Sequence, residues 1–133
     1  RITVAQNTGT GFDTFVGVEN LVGTRYNDFL TGDAGANYFM GGSGADALDG
    51  DEGNDKLDGG SGDDKLTGGL GDDQLIGGAG YDTAAYDAAT SAVTVSLNQT
   101  TAQNTGGAGR DTLSSVENLR GSAFGDLLTG NVG

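Results

Sequence analysis

Residues 41–67 read GGSGADALD, GDEGNDKLD, GGSGDDKLT: three blocks of nine with Gly at positions one and four, Asp at six and Leu at eight. The frame continues on both sides without insertion. GTRYNDFLT (23–31) and GDAGANYFM (32–40) precede it, and GGLGDDQLI (68–76) and GGAGYDTAA (77–85) follow. Across these seven blocks the first position is always Gly, and the fourth is Gly except at Tyr26. The sixth is Asp28, Asn37, Asp46, Asp55, Asp64, Asp73 and Asp82. The eighth is Leu30, Phe39, Leu48, Leu57, Leu66, Leu75 and Ala84. A fixed short period of this kind marks an architecture in which one small unit stacks on the next.

Nine residues are too few for a helical hairpin but suit a tight turn of about six and a strand of about three. The middle residue of such a strand faces one way and its neighbours the other. The eighth position therefore points inward. The seventh and ninth, among them Lys56, Lys65, Gln74, Asp49, Asp58 and Thr67, point to solvent. Two blocks close one coil of 18 residues, and coils stack as two short parallel sheets about 4.8 Å apart. The predicted fold class is all-β, a parallel β-solenoid.

Stacking places residues i and i+18 one above the other. Asp28, Asp46, Asp64 and Asp82 form one column, and Asn37, Asp55 and Asp73 the other. Carboxylates about 5 Å apart at an effective dielectric near 20 repel by about 3 kcal/mol per pair. A small domain is stable by only about 5–15 kcal/mol. A cation between successive carboxylates reverses the sign. The available ligands are Asp side chains and the carbonyls of a Gly-rich turn. Hard oxygen donors select Ca²⁺, Mg²⁺ or Mn²⁺, and flexible geometry with six to eight ligands favours Ca²⁺.

Composition narrows the classes further. The chain has 133 residues, 27 of them Gly, with no Pro, Cys or His, and a net charge of −13. Without Cys there is no disulfide framework and no thiolate metal site. Without His there is no His-based triad and no usual zinc site. The negative charge opposes nucleic acid as a partner. No apolar run reaches the length of a membrane span, and no amino-terminal signal peptide is visible.

A longer repeat overlies the short one. Val18-Glu19-Asn20-Leu21 recurs as Val116-Glu117-Asn118-Leu119, an offset of 98, and Leu30-Thr31-Gly32 recurs as Leu128-Thr129-Gly130. The chain reads as a fragment of a longer array. It divides into a degenerate repeat or cap (1–22), the nonapeptide β-roll (23–85) and a flank with a strand, a loop and the start of the next copy (86–133). The register places Glu19, Glu117 and Asp126 at sixth positions, and Leu21, Leu119 and Leu128 at eighth positions, continuing the ladder with poorer cation chemistry. Asp13, Asp87 and Asp111 read as turn or capping residues. Phe12, Phe15, Val16, Val18 and Leu21 read as the end of the core. Val93, Val95 and Leu97 alternate with Thr94 and Ser96, predicting a half-buried strand. Residues 99–109 read as a polar loop, and Arg110 and Arg120 as isolated surface arginines.

The blocks match the nonapeptide Gly-Gly-x-Gly-x-Asp-x-U-x, with U a large apolar residue. The chain thus resembles the RTX, or hemolysin-type, calcium-binding repeat region of secreted bacterial proteins, most closely over 41–67. The resemblance implies a right-handed parallel β-roll with Ca²⁺ between successive coils. Each ion would be held by the sixth-position residues of blocks n and n+2 and by turn carbonyls. The implied metal residues are Asp28, Asn37, Asp46, Asp55, Asp64, Asp73 and Asp82, with Gly41, Gly44, Gly50, Gly53, Gly59, Gly62, Gly68, Gly71, Gly77 and Gly80 in the turns. Asn37 lacks a charge and weakens its site. Arg25 and Tyr26 depart from the motif in the first block, and Asp33 and Asp51 replace the second Gly. The resemblance also implies extracellular or cell-surface localisation through type I secretion.

No Gly-x-Ser-x-Gly or His-Glu-x-x-His motif is present, and the segment reads as non-catalytic. Its partners are calcium ions and neighbouring repeat units of the parent chain. The leading function is a calcium-dependent folding and spacer module of a larger extracellular protein. The alternatives are a repeat segment of an adhesin, or a module binding an extracellular polysaccharide such as alginate in an epimerase-like enzyme. Lys56 and Lys65 fall in adjacent blocks, hence on opposite sheets, and form no basic stripe. The third positions (Arg25, Ala34, Ser43, Glu52, Ser61, Leu70, Ala79) form no Thr or Asn ladder of the kind an ice-binding face needs. Because metal-binding free energy becomes folding free energy, the chelated chain is expected to be largely disordered and millimolar Ca²⁺ to produce β structure. Circular dichroism with and without chelator checks this, and an unchanged spectrum contradicts it.

Overall fold

The computed structural model describes the backbone of residues 3–4 and all of residues 18–131. Asp13, Phe12, Phe15 and Val16 lie outside the described residues. Every regular element among the described residues is a strand. β1 (Thr3–Val4), β2 (Asn20–Val22), β3 (Phe29–Thr31), β4 (Tyr38–Ser43) and β5 (Ala47–Asp49) come first. They are followed by β6 (Lys56–Ser61), β7 (Lys65–Thr67), β8 (Gln74–Ala79) and β9 (Thr83–Ala85). β1 pairs with β2, and from β2 to β9 even and odd strands part into two sheets of parallel strands. β2, β4, β6 and β8 are neighbours in one, and β3, β5, β7 and β9 in the other. The register is one coil throughout: Phe39 pairs with Leu57 and Leu57 with Leu75, while Leu30 pairs with Leu48 and Leu48 with Leu66. This is a parallel β-roll of 18 residues per coil.

The period sets the core. Leu21, Leu30, Phe39, Leu48, Leu57, Leu66, Leu75 and Ala84 are all buried and form one apolar stack between the sheets. Turns between strands pass so close to their neighbours that Gly is required at particular places. At Gly60 the backbone has φ of 98°, and a β-carbon there would strike the Gly42 carbonyl of the coil below. A side chain would meet both a torsional and a steric barrier.

Residues 86–108 depart from the nine-residue frame, yet the ladder resumes after them. β10 (Thr94–Ser96) is the predicted strand, with Val93 and Val95 buried beside exposed Thr94. The segment read as a polar loop contains β11 (Gln103–Gly106), which forms an antiparallel pair with β12 (Gly109–Ser114) and buries Gln103 and Thr105. Gln103 donates to the Ser96 carbonyl and accepts from the Ser96 N–H, so an amide side chain stands in for a strand neighbour. β12 stacks on β8, with Leu113 over Leu75, across a gap of 38 residues. β13 (Asn118–Arg120) stacks on β9, with Leu119 over Ala84, and β14 (Leu127–Thr129) pairs with β10. The excursion extends the same core with Tyr86, Ala89, Val93, Val95 and Ala108, next to Leu113 and Val116.

Three assignments change on one outer face. Asp87 bridges Lys65 (3.0 Å) and Arg120 (2.7 Å), tying the start of the excursion to the outer face of the β7–β9–β13 sheet. Arg120 is therefore an ion-pair partner rather than an isolated arginine, and Asp87 is more than a turn residue. On that face the ninth-position Thr67, read as solvent-facing, is buried, as is Ala85 beside it.

Leu57 is fully enclosed in the middle of the stack. Leu57→Ala is expected to cost about 2–5 kcal/mol through lost burial and a residual cavity. Melting curves at saturating calcium check this, since added ion cannot refill an apolar void.

Candidate metal centre

The turn from eighth to eighth position places the sixth-position side chain over the preceding coil. From Asp46 to Asp82 its Oδ1 accepts the backbone N–H of the sixth-position residue one coil earlier. Asp46 accepts from Asp28 (2.8 Å), Asp64 from Asp46 (2.8 Å) and Asp82 from Asp64 (2.9 Å). In the second column Asp55 accepts from Asn37 (2.7 Å) and Asp73 from Asp55 (2.9 Å). Both columns thus stand as the register placed them, one on each edge of the roll.

A second ladder runs beside the first in the opposite direction. Fifth-position side chains accept the N–H of the fifth-position residue one coil later: Asn27 from Ala45, Asn54 from Asp72 and Asp63 from Tyr81, each at 2.9 Å. Sequence reasoning missed these residues. The signal was present as the polar Asn27, Asn54, Asp63 and Asp72, but the variable fifth position hid it.

The other carboxylate oxygen is the unusual one. Oδ2 of Asp46, Asp55, Asp64, Asp73 and Asp82 is buried without any hydrogen-bond partner. Such an atom is costly unless something positive meets it. Beside it lies a space that only Gly leaves open. A β-carbon on Gly41 would collide with Asp46 Oδ2 and approach the Gly59 carbonyl of the next coil to 2.6 Å. Gly50 stands in the same relation to Asp55 and Gly68, and Gly59 to Asp64 and Gly77. Among the described residues no three acidic side chains close on one point, so each cradle draws on carboxylates of successive coils and on backbone carbonyls. This all-oxygen donor set, with buried unpartnered carboxylate oxygens, fits a calcium ion.

The degenerate blocks differ in how their sixth position is satisfied. Thr24 donates to Asp28 Oδ2 through its N–H (2.6 Å) and its hydroxyl (2.9 Å), and the Asp33 N–H donates to Asn37 Oδ1 (3.0 Å). Ser122, at the place equivalent to Thr24 in the 98-residue repeat, donates its hydroxyl to Asp126 at 2.6 Å. Asp111, read as a turn residue, instead continues the second column: it is buried, and its Oδ1 accepts the Asp73 N–H at 3.1 Å. The offset of 38 residues concealed that register. Glu117 continues the first column, accepting the Asp82 N–H at 2.9 Å.

The electrostatics follow the burial. Desolvation pushes Asp46 and Asp55 up to about 6 and Asp73 up to about 7, with neighbouring carboxylates adding to the rise and backbone N–H donors opposing it. Burial likewise raises Asp64 and Asp82, and Asp111 to about 6. Asp126 moves the other way, held down by the Ser122 hydroxyl and the Val93 N–H.

In a comparison with protein families, residues 13–48 and 49–84 each match the RTX calcium-binding nonapeptide repeat (4 copies), together more than half of the chain. A search of curated proteins found no match.

A carboxyl whose folded pKa is raised above its unfolded value near 3.9 stabilises the fold below that value and loses this contribution as pH rises through the folded pKa. For the ion-free chain that window runs from about 4 to about 7. In chelator, β structure is expected to increase on acidification from pH 8 to pH 4. With calcium, affinity is expected to fall as pH drops through 7 to 6, because protons and ions compete for the same oxygens. Circular dichroism and calorimetric titration across pH check both signs.

Proposed function

We propose a function from one premise: the chain belongs to the RTX calcium-binding nonapeptide repeat family. Repeats of this family bind calcium and occur in secreted bacterial proteins. Among the described residues no helix is long and apolar enough to cross a membrane. On our reading the chain is a structural and spacer segment of a larger extracellular protein. It crosses the envelope by type I secretion as an ion-poor, unfolded chain and folds when it meets external calcium.

The observation that carries this reading is the set of buried, unpartnered Oδ2 atoms of Asp46, Asp55, Asp64, Asp73 and Asp82. Folding without a cation leaves them desolvated and mutually repelling, and calcium removes both penalties together. The proposed sites pair 28 with 46, 46 with 64 and 64 with 82 on one edge, and 37 with 55 and 55 with 73 on the other, with turn carbonyls completing each shell. Five divalent ions bring roughly +10 to a chain whose net charge is −13. The 28–46 and 37–55 sites are the weaker ones, because Thr24 and Asp33 already donate to the Asp28 and Asn37 oxygens. The proposed segments are the nonapeptide roll, 23–85, and its flanks, 1–22 and 86–133.

Asp64 belongs to two of these sites. Asp64→Ala is expected to weaken both and divide the ladder, since coil stability passes between neighbours. Excess calcium partly restores it, as linkage scales with RT ln(1 + [L]/Kd). Lys56→Ala, on the outer face, is expected to change little. Melting temperatures across a calcium series distinguish them. Identical behaviour of the two variants removes the sixth position from the ligand set.

A further inference from the structure

The column 28–46–64–82 continues past the last nonapeptide in a compressed form. In the ladder Ile76 is level with Ser114 and Thr83 with Asn118. Six residues, 77–82, make the earlier turn, whereas only Ser115, Val116 and Glu117 make the later one. The shortened turn nevertheless restores both halves of the cradle. Glu117 Oε2 accepts the Asp82 N–H at 2.9 Å, the bond that Asp46, Asp64 and Asp82 make one coil lower. The longer Glu side chain occupies the place that Asp fills in a full-length turn.

The carbonyl half is restored as well. A β-carbon on Gly59 would lie 2.7 Å from the Gly77 carbonyl and would collide with Asp64 Oδ2. On Gly77 it would collide with the Ser115 carbonyl and lie 2.6 Å from Asp82 Oδ2. Ser115 thus takes the place of the first-position Gly of the coil above. Its φ of 50° is in the left-handed region, which only one other non-glycine among the described residues adopts. Asp82 is completely buried, and its Oδ2 has no hydrogen-bond partner.

We propose that Asp82, Glu117 and the Ser115 carbonyl form a further calcium site, with Ser115 and Glu117 outside the nonapeptides, that locks the repeat ladder to the flank beginning at β12. It rests on the calcium reading of the column below. Residues 13–84, which match the family, include Asp82 but neither Ser115 nor Glu117. At the neighbouring Asp73–Asp111 pair no carbonyl approaches the corresponding glycine as closely as that of Ser115 approaches Gly77. The three atoms nearest a β-carbon on Gly68 all belong to Asp73, and no carbonyl from the coil above is among them.

The test uses the whole chain and calcium alone. Glu117→Gln keeps an acceptor for the Asp82 N–H while removing the charge, and circular dichroism at saturating calcium verifies the fold. Ser115→Gly keeps the carbonyl and suits the left-handed backbone. Calorimetric titration is expected to give one ion fewer for Glu117→Gln and the parent number for Ser115→Gly. Hydrogen exchange is expected to show lost protection at 115–120 in Glu117→Gln, with 38–67 unchanged. An unchanged ion count in Glu117→Gln, beside a parent chain that binds calcium, overturns this site alone. A parent chain that binds no calcium overturns the calcium reading as a whole.

Discussion

One carboxylate per half-coil governs this molecule. Asp46, Asp55, Asp64, Asp73 and Asp82 each give one oxygen to the backbone N–H of the coil below, which fixes the vertical register, and keep the other oxygen buried and unpartnered. The first role is a hydrogen bond to a charged acceptor, among the stronger contacts a protein makes. The second is a liability that grows with each coil, because equal charges stack in line. Register and liability come from the same side chain, so the geometry that builds the roll also creates its need for a cation.

Towards the ends of the array the sixth-position carboxylate is satisfied differently. At Asp28 and Asp126 a hydroxyl from the second position, Thr24 or Ser122, meets the carboxylate. Gly occupies that position in four of the seven blocks and can offer no side-chain donor. Replacing Gly by Thr or Ser therefore exchanges dependence on an ion for a local hydrogen bond. Asn37 achieves a related end by removing the charge.

The excursion 86–108 divides the roll's symmetry. β11 runs antiparallel to β12 and ends the large sheet, while β10 begins a new parallel pair with β14. Between β2 and its sequence equivalent β13 the chain changes sheets, since β2 lies in the β4–β6–β8 sheet and β13 stacks on β9. One 98-residue unit therefore contains an odd number of half-coils. Asp87, bridging Lys65 and Arg120, and the buried Tyr86 anchor the segment that makes this change.

The sequence alone determined the strands, the 18-residue coil, the inward eighth position and the two carboxylate columns. A strict period constrains all of these at once: stacking is local, and each coil repeats the environment of the last. Only the tertiary structure decided what happens where the period breaks. That Asp111 rejoins the second column depends on a contact across 38 residues of chain, that 103–106 is a strand depends on its antiparallel pairing with β12, and Thr67 is covered although the ninth position points outward. Their register is set by how the Tyr86–Ala108 core packs against the last coil, and no local spacing encodes that packing.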